Sequence, residues 1–445
     1  MKSTIRKAFA LLAFLALAVL LIPFGNTFLV QLDTFATLTM RDMRQRDDIE
    51  LAIVGSSIVQ HHFNPALISE ATGLTTFDAT ITNMVMPDVL ALTRELYRTN
   101  SPEWVVLVLE SYSFDSVRTD PQTQMKLMPH LTSPVNRLRY LQDVLEKDGE
   151  TLSRLLLFNT FGFQSLADVC KAVRLRTDPE AVLAELQSEY PGDYLYADGF
   201  VRRETDERAT DSLVKTVIRE ETGYVYTVYD YTKDKLREFK ALCEENGSRL
   251  MVILAPGMTA HALAEPGYLP YLESAQAFFD ELGVPCFNLM FAREELLPCL
   301  DDLYYDLYHM VGEGADTLSA SFARLFNAFL AGEDVSGWFY PDAQAYLASI
   351  DFVTNCHLTL EMDADGQATL RADCNRGSLV TPQYRFTLVL ENGQEALLRD
   401  WSEEAAFSCE SQTLAGGIPR VYARAGESGT EVFFTLDEID EADGN

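Results

Sequence analysis

Two short stretches of this chain carry side chains that could do acyl chemistry together. Gly55-Ser56-Ser57 closes an apolar, strand-like run, and Asp306-Leu307-Tyr308-His309 lies about 250 residues further on. They supply a hydroxyl, a carboxylate and an imidazole. A Ser-His-Asp constellation is defined by roles and geometry, so wide separation in sequence is no obstacle. The reaction would be attack of a hydroxyl on an ester carbonyl, with the imidazole taking the proton and the carboxylate fixing its tautomer. Each stretch also has a plainer reading. A serine after a strand commonly caps the next helix, and an Asp-x-x-His pair can sit on a surface. The three-residue spacing predicts Asp306 and His309 on one face of a helical turn.

The elements around these residues decide whether they can meet. From about residue 49, short β-branched runs alternate with helical stretches. Ile49 to Val54, Thr75 to Ile81, Trp104 to Leu109, Arg249 to Leu254 and Val284 to Leu289 read as strands. Pro65 to Thr72, Pro87 to Thr99, Tyr231 to Asn246, Tyr271 to Leu282 and Gly314 to Ala331 read as helices. Trp104-Val-Val-Leu-Val-Leu109 has the composition of a strand buried on both faces. Such alternation predicts a parallel, doubly wound α/β sheet. Ser57 then sits at a strand-to-helix turn on the carboxyl edge, where open α/β sheets bind ligands. The stretch holding His309 follows the last strand and returns to that edge.

Residues 116 to 225 interrupt the repeat with helical pieces, Leu152 to Leu157 and Ser165 to Val173 among them, and with turns such as Tyr190-Pro191-Gly192-Asp193. An insertion of this kind forms a binding wall or is mere decoration, and the sequence leaves both open. After about residue 345, short alternating runs punctuated by Gly, Asp and Asn predict a separate all-β sandwich over 345–436. Asp437 to Asn445 reads as a solvated acidic tail.

The chain of 445 residues has 67 acidic and 35 basic side chains, a formal charge of -32. Such a surface repels nucleic-acid backbones, which excludes that class of partner. At the front, Lys2, Arg6 and Lys7 precede an uncharged apolar stretch from Ala8 to Phe24. This predicts a membrane span within residues 1–30, with the bulk of the chain outside the cytoplasm. The lack of an Ala-x-Ala pattern after Ile22 favours an uncleaved anchor over a cleaved signal. The seven cysteines show no CxxC pair and no metal-ligand spacing, so neither a metal nor a cofactor is expected. Free buried thiols are expected, with one bridge among Cys356, Cys374 and Cys409 as the alternative.

Gly55-Ser56-Ser57 followed by Phe63-Asn64-Pro65 resembles the first block of the SGNH (GDSL-like) hydrolases, in their membrane-anchored Gly-Ser-Ser branch. Asp306-Leu307-Tyr308-His309 is similar to that family's last block. The resemblance implies a flavodoxin-like SGNH fold over 31–340, with Ser57 as nucleophile, His309 as general base and Asp306 as its orienting carboxylate. The family's oxyanion donors would fall near Asn83 and Ser111, where this chain departs from the usual Gly and Asn. Losing one such donor costs an enzyme roughly 3 to 4 kcal/mol. The terminal domain, with Gln383-Tyr384-Arg385-Phe386 and Arg420-Val421-Tyr422, loosely resembles three-tyrosine immunoglobulin-like modules.

The expected function is an extracytoplasmic serine esterase or O-acyltransferase acting on an O-acylated cell-envelope glycan or another ester. The alternative is a non-catalytic adaptor tethered to envelope-polymer machinery. His61 and His62 are expected on a solvated helix face, and His130, His261 and His357 have no evident partners. Asp301-Asp302 reads as a solvated turn. Tyr224, Tyr226, Tyr229 and Tyr231 could stack on a sugar but fit packing positions better.

Overall fold

A computed structural model of the protein describes residues 2–110, 127–148, 162–209, 227–265 and 267–436. Ser111, Leu152 to Leu157, Tyr224, Tyr226 and Asp437 to Asn445 lie outside the described residues. The apolar stretch at the front forms one helix, α1 (Lys2–Phe28), whose portion Ile5–Phe28 has a mean hydropathy of 2.6. It is long and apolar enough to cross a membrane, and it runs four residues past the apolar stretch read from the sequence. A second helix, α2 (Thr34–Gln45), starts at Asp33, whose carboxylate accepts the Ala36 N–H at 2.7 Å.

The α/β pattern forms a five-stranded sheet from β1 (Leu51–Gly55), β2 (Thr76–Thr80), β3 (Trp104–Leu109), β6 (Arg249–Leu254) and β7 (Cys286–Asn288). All pairs are parallel and the order is β2-β1-β3-β6-β7. Alternate side chains of a strand point to opposite faces, and β3 shows what that accomplishes. Val105, Leu107 and Leu109 enter one core with α5 (Met86–Leu96), α9 (Asp230–Glu245) and α11 (Tyr268–Leu282). Trp104, Val106 and Val108 enter the other with α3 (Ser57–His62), α4 (Pro65–Thr72) and α12 (Gly312–Leu330). Helices therefore cover both faces. The α4 boundaries follow from local chemistry: Asn64 caps the Ala66 N–H at 3.2 Å, Pro65 opens the helix, and Gly73 ends it at φ 74°.

The inserted region contributes α6 (Pro134–Asp148), α7 (Leu166–Thr177), α8 (Pro179–Glu189) and a small hairpin of β4 (Leu195–Ala197) and β5 (Phe200–Arg202). After the sheet come α10 (Thr259–Ala264), following β6, and α13 (Ala343–Ser349), which leads into the terminal region. That region is all β: β8 (Val353–Met362), β9 (Gln367–Arg376), β10 (Pro382–Leu390), β11 (Glu395–Ser402), β12 (Ala406–Glu410), β13 (Gly417–Ala425) and β14 (Val432–Thr435). They make two antiparallel sheets, β11-β10-β13-β14 and β12-β9-β8. One apolar core joins them, with Leu358 and Leu370 from one sheet and Phe386, Val421 and Phe434 from the other. All seven cysteines are free thiols. Cys170 and Cys299 are exposed, which corrects the expectation of uniformly buried thiols.

The close approach that matters most is at Gly55, the last residue of β1. A Cβ there would lie 2.5 Å from Val59 Cγ2 and 2.7 Å from the Val108 carbonyl oxygen. The second neighbour is backbone of an adjacent strand and cannot rotate away. Gly55→Ala is expected to destabilise the protein by about 1–3 kcal/mol, the range for overpacking. Denaturant unfolding of the variant with an unchanged midpoint would refute this account of the turn.

Candidate active site

The sheet ends and α3 begins at Ser56, whose backbone is extended at φ -106° and ψ -154°. Its hydroxyl makes no capping bond but donates to Glu110 Oε1, just past the end of β3. Ser57 follows in the first turn of α3. Its Oγ lies 2.9 Å from His309 Nε2. Neither serine therefore serves as the helix cap that the sequence allows. On its other side, His309 Nδ1 lies 2.8 Å from Asp306 Oδ2 and 3.1 Å from Oδ1. A carboxylate can only accept, so Nδ1 carries the proton and Nε2 presents its lone pair to the serine. Ser57, His309 and Asp306 thus form a continuous hydrogen-bonded chain.

The Asp306–His309 geometry differs from the helical turn expected from spacing. Residues 305–308 form a bend, not a helix. Asp306 Oδ1 accepts the backbone N–H groups of Tyr308 and His309, each at 2.8 Å. This side-chain-to-backbone turn is a habit of aspartate. It folds the loop so that the same carboxylate reaches the ring. Burial pushes the Asp306 carboxyl up. Hydrogen bonds from the His309 ring and the two backbone N–H groups outweigh that and hold it below its usual value.

The helix that carries Ser57 and the loop that carries His309 are also pinned to each other. The Met310 N–H donates to His62 Nε2 at 3.1 Å. The Asn64 N–H donates to Ser319 Oγ at 2.7 Å, and Asn64 Nδ2 donates to Asp316 Oδ1 at 2.9 Å. Both partners lie on α12. His62 is fully buried, and the His61 ring meets the His309 ring edge-on at 5.2 Å. These two histidines do not form a solvated face. His61 Nδ1 donates to the Val201 carbonyl at 2.9 Å. Burial, reinforced by the neighbouring His309, lowers His61 to about 3 and also takes His62 well below its ordinary value. Both are neutral at pH 7.

Side chains without a sequence signal complete the surroundings. The Tyr305 ring stacks on His309 at 5.8 Å and 18°. The Arg203 guanidinium lies 4.1 Å from the centre of the Tyr305 ring. With Val201 on His61, this makes the β5 segment of the insertion a wall of the site. Glu110 was detectable in hindsight as the first charged residue after an unbroken apolar strand.

The oxyanion positions divide. Asn83 is exposed and left-handed at φ 58°, one of two described non-glycine residues at positive φ, in the turn after β2. Thr80 Oγ1, at the end of β2, lies 2.8 Å from the carbonyl oxygens of both Gly55 and Ser56. Elsewhere, Tyr231 donates to the Asp143 carbonyl at 2.8 Å, a packing role. Asp301 is not merely solvated: its Oδ1 accepts the Thr259 N–H at 2.8 Å, and burial raises its pKa. Among the described residues, no group of three or more His, Cys, Asp or Glu side chains is arranged to hold a metal ion.

Two cavities lie towards this edge, and neither is lined by Ser57, Asp306 or His309. A void of about 20 Å3, room for roughly one water-sized group, is lined by Ile58, Glu110, His261, Tyr268, Leu307 and Tyr308 among others. A larger cleft of about 490 Å3 shares Pro256 and Gly257 with it. Tyr340, Tyr346 and Phe352 line that cleft, with Glu294, Glu295, Asp301 and Asp351 against a single Arg293. No protein-family model matches the chain. No curated protein matches it significantly.

The neutral histidines tie stability to pH. In the unfolded chain His61 titrates near 6.5, but in the folded protein only near 3, so the unfolded state binds more protons between these values. His130, also lowered to about 3 by burial, adds in the same window. These histidines are expected to lower stability as pH drops from about 6.5 towards 3, with the depressed Asp306 carboxyl adding at the acid end, while the Asp78 and Asp301 carboxyls, raised by burial, act in the opposite direction. Denaturant midpoints that stay flat from pH 7 to pH 4.5 would contradict the buried-histidine account.

Proposed function

We propose that the protein is a serine esterase or O-acyltransferase of SGNH type that works through an acyl-Ser57 intermediate. The observation that carries the reading is the unbroken path Ser57 Oγ to His309 Nε2 to Asp306, with 2.9 Å and 2.8 Å links. Ser57 Oγ attacks the ester carbonyl while its proton passes to Nε2. The imidazolium, stabilised by Asp306, then gives that proton to the leaving alkoxide. Water or a second hydroxyl resolves the acyl-enzyme by the same steps in reverse. The oxyanion would be met by the Ser57 N–H, in the first turn of a helix, and by the N–H of Asn83, exposed and left-handed in the turn after β2.

The cavities support a substrate class. The small void favours a short acyl chain, and the cleft has the size of a small-molecule site. Its four carboxylates against one guanidinium disfavour polyanions, whereas aromatic rings with acidic hydrogen-bond acceptors suit a neutral or amino sugar. An O-acylated glycan outside the membrane fits these features, with α1 as anchor and the terminal sheets as an immunoglobulin-like spacer. The second reading is a non-catalytic adaptor, and Glu110 is what favours it. A carboxylate beside the nucleophile turn opposes the negative charge that develops on the oxyanion.

A fluorophosphonate probe separates the two readings. Labelling of the wild type, lost in Ser57→Ala, is expected of the enzyme; an intact, folded wild type that does not label would establish the adaptor. Turnover of p-nitrophenyl acetate is expected to fall by about 10²–10⁴-fold in His309→Ala. Asp306→Asn should cost about 10⁴-fold through the wrong imidazole tautomer. Unchanged rates in either variant would remove that residue from the mechanism.

A further inference from the structure

Helix α7 lies across the end of α1. Gly162, four residues before α7, bridges to Val30, and Arg176, in its last turn, donates to the Thr27 carbonyl at 2.6 Å. The Arg176 guanidinium also lies 5.7 Å from the Phe28 ring centre. Both flanks of a helix of 12 residues, about 18 Å long at 1.5 Å per residue, therefore touch the four residues where α1 ends. Asn26, Thr27 and Val30 are buried in that junction. The catalytic region is seated on the α1 terminus and does not hang from a free linker.

The outer face of α7 does not suit water. Leu166, Cys170, Val173 and Thr177 follow one another at helical spacing, and all are exposed. Leu166 is 84% exposed and Val173 53%, while Ala172 and Leu175 hold the opposite face in the protein. Arg174 borders the stripe on one side and also pairs with Glu185, and Lys171 lies further round the same side. From Leu166 to Thr177 there are three basic residues and one acid, Asp168, in a chain with a formal charge of -32. The turn before α6 packs against α1, and Val135 and Leu138 in the first turns of α6 are 62% and 68% exposed.

We infer that α7, helped by the first turns of α6, is an interfacial helix that rests on the bilayer α1 crosses. Its apolar stripe enters the boundary of the acyl chains, and Lys171 and Arg174 meet anionic headgroups. The occupant of this face is thus an anionic membrane surface. The inference rests on α1 being a true span.

Tryptophan introduced at exposed positions of the full-length protein in anionic liposomes, with brominated acyl chains as quencher, tests it. The signal of the three native tryptophans is subtracted using wild type. Leu12→Trp reports the span, Leu166→Trp and Leu138→Trp report the proposed surface, and Leu379→Trp, 77% exposed in the terminal region, is the control. The expected result is loss of fluorescence for the first three and none for the control. Quenching at Leu12→Trp alone would overturn the interfacial helix and leave the span. No quenching at any position would overturn both. Adding Lys171→Glu and Arg174→Glu to Leu166→Trp should reduce its quenching in anionic but not in neutral liposomes. Equal quenching in both would remove the headgroup attraction from the proposal.

Discussion

The candidate site depends on a single contact: the hydroxyl of Ser57, in the first turn after β1, touches the ring nitrogen of His309, in the loop before α12. A hydrogen bond between side chains is worth about 1 kcal/mol net and could not by itself hold two remote segments together. The work is done by what surrounds it. The parallel sheet brings both segments to its carboxyl edge, and α12 packs on the same face as α3 and α4 through Phe63, Phe322 and Phe326. His62 and Asn64 then pin helix to loop through Met310, Ser319 and Asp316. The catalytic-type geometry is thus over-determined by groups that do no chemistry.

Electrostatics around that contact are arranged by burial. His61 and His62 are kept neutral because desolvation disfavours their charged forms. Two imidazolium ions beside His309 would oppose any positive charge on that ring. As neutral rings they fill space and orient hydrogen bonds. Glu110 runs the other way, placing a carboxylate against the Ser56 hydroxyl at the turn that the acyl reading needs to be electropositive. The tension between these features is what divides the enzyme reading from the adaptor reading.

Much of this was legible in the sequence. The buried strand Trp104 to Leu109 and the helix Pro65 to Thr72 occur with the same ends, because unbroken apolar composition and an Asn-Pro start with a Gly stop are strong local signals. The trio Ser57, Asp306 and His309 was legible as well, since the strand-to-helix turn and the returning loop both had to face the carboxyl edge. Spacing gave the wrong local shape for Asp306, because a helical turn and an aspartate-capped bend share a three-residue separation. β11 and β12 left little trace, as their residues are half exposed and charged, such as Arg399 and Asp400. The burial of His61 and His62 leaves no local pattern, because the inserted hairpin meets His61 while the Tyr304 ring and the Met310 backbone cover His62, all tertiary contacts. The β5 residue Val201, whose carbonyl accepts the His61 hydrogen bond, comes from 140 positions away.

The distance along the chain between Ser57 and His309 also fixes when the hydroxyl can meet its ring. Contacts of such long range form late, after loop closure has been achieved for the intervening segments. A polypeptide emerging from its amino end would expose Ser57 more than two hundred residues before its imidazole existed. Until α12 closes over the sheet, that serine is an ordinary alcohol. The topology therefore keeps the Ser57 hydroxyl without its partner ring until the fold is complete.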